Sequence, residues 1–211
     1  MPDQYETVAN AKIGILMGSA SDWPTMQAAA KTLRDLEIPY EANVISAHRA
    51  PRRLEHYCGS AEERGIRALI CAAGGAAHLA GVAAALTPIP VLACPMKAWS
   101  LEGLDSLLSM AQMPKGIPVA TFAIGSAGAT NAALFAVAML AGTDEAIDAR
   151  YRAFRKAQSD KTFPLPPIEG YGPFSPEIWG AKPLHVATVV VSAVPLRGVI
   201  LPKCVREYAA F

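Results

Sequence analysis

The chain has 211 residues, of which 52% are hydrophobic and 18% are charged, and its formal net charge is +1. This length is enough for one well-packed core and leaves little chain for a second domain. The near-zero charge, without a basic tract, argues against nucleic acids and anionic membranes as partners. No apolar run of about 18 residues is free of charges and breakers, so we expect no membrane span. The N-terminal stretch MPDQYETVANAK has no apolar core of the kind that a secretory signal needs.

Between residue 12 and about residue 160, short apolar runs alternate with stretches of helical periodicity. The predicted strands are KIGILMGS, YEANVIS, IRALICAAGG, IPVLACP and IPVATFAIG. The predicted helices are PTMQAAAKTLRDLE, PRRLEHYCGSAEERG, AHLAGVAAALT, LEGLDSLLSMAQM, AGATNAALFAVAMLAG and DEAIDARYRAFRKAQSD. Strands that are apolar on both faces and alternate with helices predict a parallel sheet covered on both sides. We therefore expect a three-layer α/β fold of about five strands, resembling the flavodoxin-like class, with a last amphipathic C-terminal helix.

The segment 161–211 does not continue this rhythm. It holds eight of the 17 prolines and few charges. We therefore divide the chain into an α/β domain, 1–160, and an atypical Pro-rich tail, 161–211, whose role is unknown. Three interpretations of the tail stay open, namely an interface arm, a poorly ordered extension, or a segment foreign to the protein.

The cysteines give no sign of disulfides or of a metal site. The four are Cys58, Cys71, Cys94 and Cys204, and they form no C-x-x-C pair and no zinc-like cluster with histidine. Cys71 and Cys94 lie within apolar runs and are interpreted as small core residues. Such usage is typical of a reducing compartment, so we expect the protein to be cytoplasmic.

Residues able to do chemistry follow the predicted strands. In an open parallel sheet, ligands bind at the carboxyl ends of the strands. The polar side chains that follow the first three predicted strands include Ser19, Asp22, Ser46, His48, Arg49 and His78. Two of the four histidines thus lie at strand ends, and this clustering predicts a site there.

These residue types together predict a site for a sugar phosphate. The hydroxyls of Ser19 and Ser46 and the forked guanidinium of Arg49 suit a phosphate, and Asp22 would accept hydrogen bonds from sugar hydroxyls. Histidine titrates near neutral pH, so His48 is the candidate proton shuttle. The turn at 74–77, rich in Gly and Ala, would let backbone N–H groups approach a small anion or a carbonyl.

Each residue also has a purely structural interpretation. Ser19 and Asp22 would form an ordinary helix N-cap. Arg49 would be a solvated charge, His48 a satisfied loop histidine and His78 a cap of its own helix. We expect His56, among charges in a helix, to lie on the surface. The sequence has neither a carboxylate–histidine metal set nor the G-x-G-x-x-G or G-x-x-x-x-G-K-[ST] motif, so we expect no metal, dinucleotide, ATP or other cofactor.

Five motifs resemble those of the class I, or microbial, N5-carboxyaminoimidazole ribonucleotide mutases of the PurE family. They are MGSASDW, VISAHRAP, AGGAAHLAG, DSLLSMAQMPKGIPVATFAIG and AGATNAALFA, in order and with matching spacing between residues 12 and 160. The GGAAHL segment differs in the animal-type relatives that carboxylate aminoimidazole ribonucleotide directly, so it favours the mutase. The chain has Ala50, Ala80 and Ser126 where the family usually has Thr, Pro and often Lys.

The resemblance implies an isomerase of purine (IMP) biosynthesis that moves a carboxylate from N5 of the substrate to C4 of the imidazole ring. It implies decarboxylation and recapture of CO2 in a closed site without a cofactor, with a histidine moving the proton. It also implies a homo-octamer and a functional link to the ATP-dependent N5-carboxyaminoimidazole ribonucleotide synthase. By resemblance the ribonucleotide-binding residues are Ser19, Asp22 and Arg49, with Ser46 in the phosphate loop, His48 as general acid/base, and Gly74, Ala76 and His78 around the carboxylate.

Three alternative functions remain at this point. The first is a CO2-dependent aminoimidazole ribonucleotide carboxylase of the same family. The second is a non-catalytic nucleotide-binding relative. The third is a flavodoxin-like electron carrier that binds FMN, although the strand-end loops contain few aromatic residues beyond Trp23 and Trp99.

Overall fold

The computed structural model describes residues 5–161. Its centre is one parallel sheet of five strands in the order β2-β1-β3-β4-β5. The strands are β1 (Ile13–Met17), β2 (Tyr40–Val44), β3 (Ala68–Gly74), β4 (Val91–Met96) and β5 (Ala120–Thr121). This order is that of the flavodoxin-like class, so the predicted fold is confirmed.

Helices cover both faces of the sheet. They are α1 (Trp23–Asp35), α2 (Pro51–Ala61), α3 (Leu79–Leu86), α4 (Leu104–Ala111), α5 (Ser126–Ala141) and α6 (Glu145–Asp160). Side chains of α1, α5 and α6 form one apolar core with the sheet, and side chains of α2, α3 and α4 form the other. The three layers therefore bury apolar side chains on both sides of the central strands.

The expectation of strands that are apolar on both faces holds only for the middle of the sheet. β1, β3 and β4 are buried along nearly their whole length. β2 lies at one edge and contains the buried polar residues Glu41 and Asn43. β5 lies at the other edge and pairs over two residues only, although a nine-residue apolar run predicts it.

A buried polar contact locks α2 onto β2. The hydroxyl of Tyr57 donates to Oε1 of Glu41 at 2.6 Å, and Nη1 of Arg64 donates to the same oxygen at 2.7 Å. Burial is the main reason that the pKa of Tyr57 is raised, so the hydroxyl stays protonated and keeps donating. Gly14 of β1 makes room for it, because a Cβ there would lie 2.3 Å from the hydroxyl oxygen. This contact holds α2 in place and with it the loop 45–50 that precedes the helix.

The Pro-rich tail lies outside the described residues, apart from Lys161, so the predicted domain boundary remains a prediction. Within residues 5–161, no helix has both the length and the apolar character that a membrane span requires.

Candidate active site

The loops that follow β1, β2 and β3 meet at the carboxyl edge of the sheet. β1 lies between β2 and β3, and the chain leaves all three neighbouring strands at the same edge. In this strand order the crevice between the first and third strands is where ligands bind, because the connections diverge there. The sequence-predicted residues therefore share one edge.

The loop after β1 forms a tight capped turn. Ser19 Oγ accepts hydrogen bonds from the N–H of Ser21 at 3.3 Å and from its hydroxyl at 2.8 Å. The N–H of Ser19 donates to Oδ2 of Asp22 at 3.1 Å, which completes a capping box around the short 3-10 turn Ala20–Asp22. The N-cap interpretation is thus present in the structure, and both side chains remain partly exposed toward the edge.

Asp22 is half-buried, and this affects the pKa of its carboxyl group. Burial raises the pKa of its carboxyl group, and the hydrogen bond from the Ser19 N–H offsets part of that rise. Because burial destabilises the charged form, a hydrogen-bond donor such as a hydroxyl of a ligand would stabilise this carboxylate.

Arg49 ties the loop after β2 to the loop after β1. Its Nη2 donates to the carbonyl oxygen of Gly18 at 3.1 Å, and its Nε donates to Oγ of Ser46 at 3.3 Å. The backbone N–H of Arg49 also donates to that hydroxyl at 3.3 Å. The side chain is exposed but held by these contacts, so a cationic fork stands beside the Ser19 turn.

His48 and His78 are in direct contact. Nε2 of His48 lies 2.9 Å from Nδ1 of His78, and the two rings are perpendicular with centroids 5.0 Å apart. Such a contact requires a proton on one nitrogen and a lone pair on the other. The pair can therefore pass a proton between the loop after β2 and the loop after β3. His78 does not cap α3 with its side chain.

The turn after β3 has a close neighbour in the loop after β4. A Cβ on Gly74 would lie 2.7 Å from Cβ of Ala98, so only glycine allows this approach. Gly75 is buried and has a φ of 67°, a conformation that glycine adopts readily. Ala76 is exposed, and its carbonyl accepts the N–H of His78 at 2.9 Å. The N–H of His78 is therefore paired within the turn, and the predicted approach of the turn's N–H groups to an anion stays a prediction.

Ser106 belongs to this site, and sequence reasoning missed it. Its hydroxyl accepts the N–H of Gly75 at 2.8 Å and donates to the carbonyl of Met96 at 2.9 Å, and the residue is fully buried. Its only sequence signal is a serine among the apolar residues of DSLLS, which is also typical of an ordinary helix.

The remaining histidine of the described residues is elsewhere. His56 is exposed on α2, as predicted, where its Nδ1 lies 3.0 Å from the hydroxyl of Tyr5. No group of three or more metal-ligating side chains is assembled within residues 5–161.

Comparisons with known proteins show the family of this chain. A protein-family model described as AIR carboxylase matches residues 12–161. The N5-carboxyaminoimidazole ribonucleotide mutase of Vibrio parahaemolyticus is 53% identical over 155 residues, which are 74% of this chain and 96% of that protein. The enzyme of the same name from Escherichia coli K12 is 49% identical over 160 residues, 76% of this chain and 95% of that protein.

Two further similarities come from a fused protein and from a solved structure. The bifunctional purine synthesis protein purC/E of Dictyostelium discoideum is 52% identical over 154 residues, which are 73% of this chain and 15% of that longer protein. The crystal structure of Treponema denticola PurE has a TM-score of 0.65 and 27% identity, covering 71% of this chain and 92% of that one.

Proposed function

Because the chain belongs to the AIR carboxylase family, we propose that it converts N5-carboxyaminoimidazole ribonucleotide to 4-carboxy-5-aminoimidazole ribonucleotide in de novo purine biosynthesis. It is an isomerase. The observation that carries this assignment is the identity of about half of the aligned residues to the named mutases, over nearly the whole length of those mutases. The geometry at the carboxyl edge supports it, because a cationic fork and a histidine pair stand side by side there.

We assign the nucleotide to the loops after β1 and β2. Arg49 and the hydroxyls of Ser19 and Ser46 bind the phosphate, since a guanidinium fork can bond two phosphate oxygens at once. Asp22 accepts hydrogen bonds from ribose hydroxyls. The contact of Arg49 with Gly18 supports this division, because it joins the two loops.

His48 is assigned as the general acid and base. The C–N bond of the carbamate breaks and releases CO2, while N5 takes a proton from His48. C4 of the ring then forms a C–C bond with that CO2, and its proton returns to His48. Atoms and charges balance without an external oxidant, reductant or cofactor.

The turn at Gly74, Ala76 and His78 is assigned to the migrating carboxylate. A trapped CO2 beside its acceptor carbon reacts at a high effective concentration, and a site that excludes bulk water keeps it there. The contact between His48 and His78 supports this placement, because it puts the proton carrier next to the turn.

A CO2-dependent carboxylase is the second candidate, and the description of the matching family favours it. The two candidates differ in their substrate. The mutase forms product from N5-carboxyaminoimidazole ribonucleotide without ATP or added bicarbonate, whereas the carboxylase needs aminoimidazole ribonucleotide and high bicarbonate.

The assay that tests the proposal supplies each substrate separately to the purified protein and follows formation of the C4 carboxylate by its absorbance. We expect rapid formation from the N5-carboxy compound alone. Turnover only from aminoimidazole ribonucleotide with bicarbonate would reassign the protein as the carboxylase. Binding without turnover of either substrate would make it a non-catalytic relative, and a yellow purified protein would favour the FMN carrier.

We extend the proposal to location and assembly. Cys58, Cys71 and Cys94 are buried free thiols, which suits a reducing cytoplasm. The protein forms a homo-octamer, and the exposed apolar side chains of α4 and the turn before it lie in its subunit contacts. An ATP-dependent synthase supplies the N5-carboxy substrate.

A further inference from the structure

We infer that Ser106 is a positioning residue for the turn that encloses the migrating carboxylate, an inference that rests on the proposed function. Ser106 lies in the first turn of α4. Its side-chain hydrogen bonds go to Gly75 and Met96, and neither residue is assigned to the phosphate. Its effect on the reaction therefore passes through the backbone of Gly75.

The hydroxyl of Ser106 stands between two backbone groups of neighbouring strands. Gly74 and Met96 are the last paired residues of β3 and β4. One step beyond, the Gly75 N–H donates to Ser106 Oγ at 2.8 Å, and the hydroxyl donates to the Met96 carbonyl at 2.9 Å. The side chain thus continues the ladder where the strands no longer pair directly.

The backbone groups that Ser106 bridges lie where solvent has little access to them. Ser106 is fully buried and Gly75 is buried too, so water does not reach these groups freely. Without the hydroxyl, a buried N–H and a carbonyl each lose a partner. Gly75 also has a positive φ, and glycine has many conformations open to it once it is released.

The turn that Ser106 holds leads directly to His78. The chain passes from Gly75 through Ala76 to His78, whose Nδ1 lies 2.9 Å from His48. A released Gly75 peptide therefore shifts both the backbone around the carboxylate and the partner of the proton carrier. Misplacement by about 1 Å at a reacting centre lowers turnover by up to about 100-fold.

The nearby Ser109 offers a matched control on the same helix. Its hydroxyl donates to the carbonyl of Asp105 at 2.7 Å, which is a bond within α4. Ser109→Ala therefore removes a helical serine hydroxyl without disturbing the turn after β3, whereas Ser106→Ala removes the bridge.

The first readout is amide hydrogen exchange of the segment 74–78, which does not depend on activity. We expect fast exchange in Ser106→Ala and slow exchange in the wild type and in Ser109→Ala. Equal protection in all three proteins would overturn the positioning role, whether or not the proposed reaction occurs.

The second readout is the fate of the carboxylate. N5-carboxyaminoimidazole ribonucleotide labelled with ¹³C in the carbamate is turned over in unlabelled bicarbonate, and the label in the product is compared with the aminoimidazole ribonucleotide released. We expect Ser106→Ala to lose turnover with little change in KM and to release more of the decarboxylated ring than Ser109→Ala does. Equal partitioning and equal kcat in the two variants would contradict the inference.

The two possible failures are separable. If the wild type forms no product from the N5-carboxy compound, the proposed function fails, and the hydrogen exchange alone decides on Ser106. If Ser106→Ala does not fold, Ser106→Cys takes its place, because a thiol fills the space but is a weak acceptor. We expect Ser106→Cys to give amide protection and turnover between those of the wild type and a complete loss. Wild-type amide protection and wild-type turnover in this variant would overturn the inference.

Discussion

His48 and His78 share one hydrogen bond between their rings. The contact of 2.9 Å between the two ring nitrogens holds one proton, so one nitrogen donates and the other accepts. Under the proposed function, a substrate that enters between the rings would replace this bond with its own contacts. In the proposed reaction His48 would then face the substrate, as a group that first donates a proton and then accepts one must do.

Asp22 gives a prediction about stability and pH. Burial raises its folded-state pKa above the ordinary 3.8, so its contribution to stability is complete below pH 3.8 and is lost as the pH rises through the raised value. Asp22→Asn keeps an oxygen for the Ser19 N–H but does not ionise. We therefore expect Asp22→Asn to be more stable than the wild type at neutral pH, with no difference in acid, as measured by urea unfolding.

Asp35→Asn is the control for that comparison. Asp35 is exposed on α1 and forms an (i, i+4) ion pair with Lys31, so its loss removes a weak surface attraction. We expect a small decrease in stability or none. If the Asp22→Asn variant is less stable than the wild type at neutral pH, burial of the Asp22 charge does not lower the stability of the protein.

At this scale the sequence predicts residue types well and contacts less well. Ser46, His48 and Arg49 could be found because reactive and cationic side chains follow a strand that ends abruptly. Ser106 could not, because the burial of its hydroxyl depends on how the end of β4 meets the turn after β3. That contact joins residues 31 positions apart.

The start of α2 offers a prediction at the scale of the element. Its N-cap residue is Ala50, which has no side chain to accept a hydrogen bond, although its carbonyl accepts the N–H of Leu54 at 3.2 Å. The side chain of a threonine at an N-cap accepts a hydrogen bond from a backbone N–H of the first turn. This stabilises the folded protein by about 1 kcal/mol relative to alanine. We expect Ala50→Thr to raise the free energy of unfolding by this amount in denaturant titrations.

Ala50→Val is the control, since valine has the shape of threonine without the hydroxyl. We expect it to give no gain, or a small loss. If both variants change stability equally, shape explains the effect and hydrogen bonding does not.

The elements were predicted most accurately where periodicity and burial agree. The helices α1, α5 and α6 lie close to their predicted ranges. α1 and α5 each bury several residues in the core, whereas α6 buries only Ile147. β5 is much shorter than predicted. It lies at the edge of the sheet, where Pro118 has no N–H to donate and only one neighbouring strand is present, so an apolar run does not ensure pairing.

Within residues 5–161, several large apolar side chains are exposed close together in the sequence, as at protein–protein contacts. Leu101, Leu104 and Leu108 are about half exposed on α4 and the turn before it, and Phe135 is similarly exposed on α5. We expect light scattering to give a mass eight times the 22.2 kDa of the chain. Leu104→Lys places a charge on this surface, and we expect it to lower the mass.

Val8→Lys is the control for the assembly, because Val8 is also exposed and lies on the N-terminal segment, where its N–H donates to Glu41. We expect its mass to stay that of the wild type. A wild-type monomer would contradict the octamer, and equal masses for the two variants would remove the α4 surface from the contact.

At this largest scale the fold class follows from the alternation of strands and helices, whereas the strand order does not. Alternation alone leaves open which strand lies beside β1. The order places β1 between β2 and β3, and only this neighbourhood brings the loops of Ser19, Arg49 and His78 to one crevice.

The measurement that tests the account most directly compares the wild type with His48→Asn on freshly made N5-carboxyaminoimidazole ribonucleotide, without ATP or bicarbonate. Asparagine keeps a polar side chain in the loop but carries no titratable proton, so the nucleotide still binds. We predict that calorimetry finds product binding retained while turnover falls by about 10²- to 10⁴-fold. Turnover near that of the wild type would contradict the assignment of His48 as the proton carrier and, with it, the proposed site.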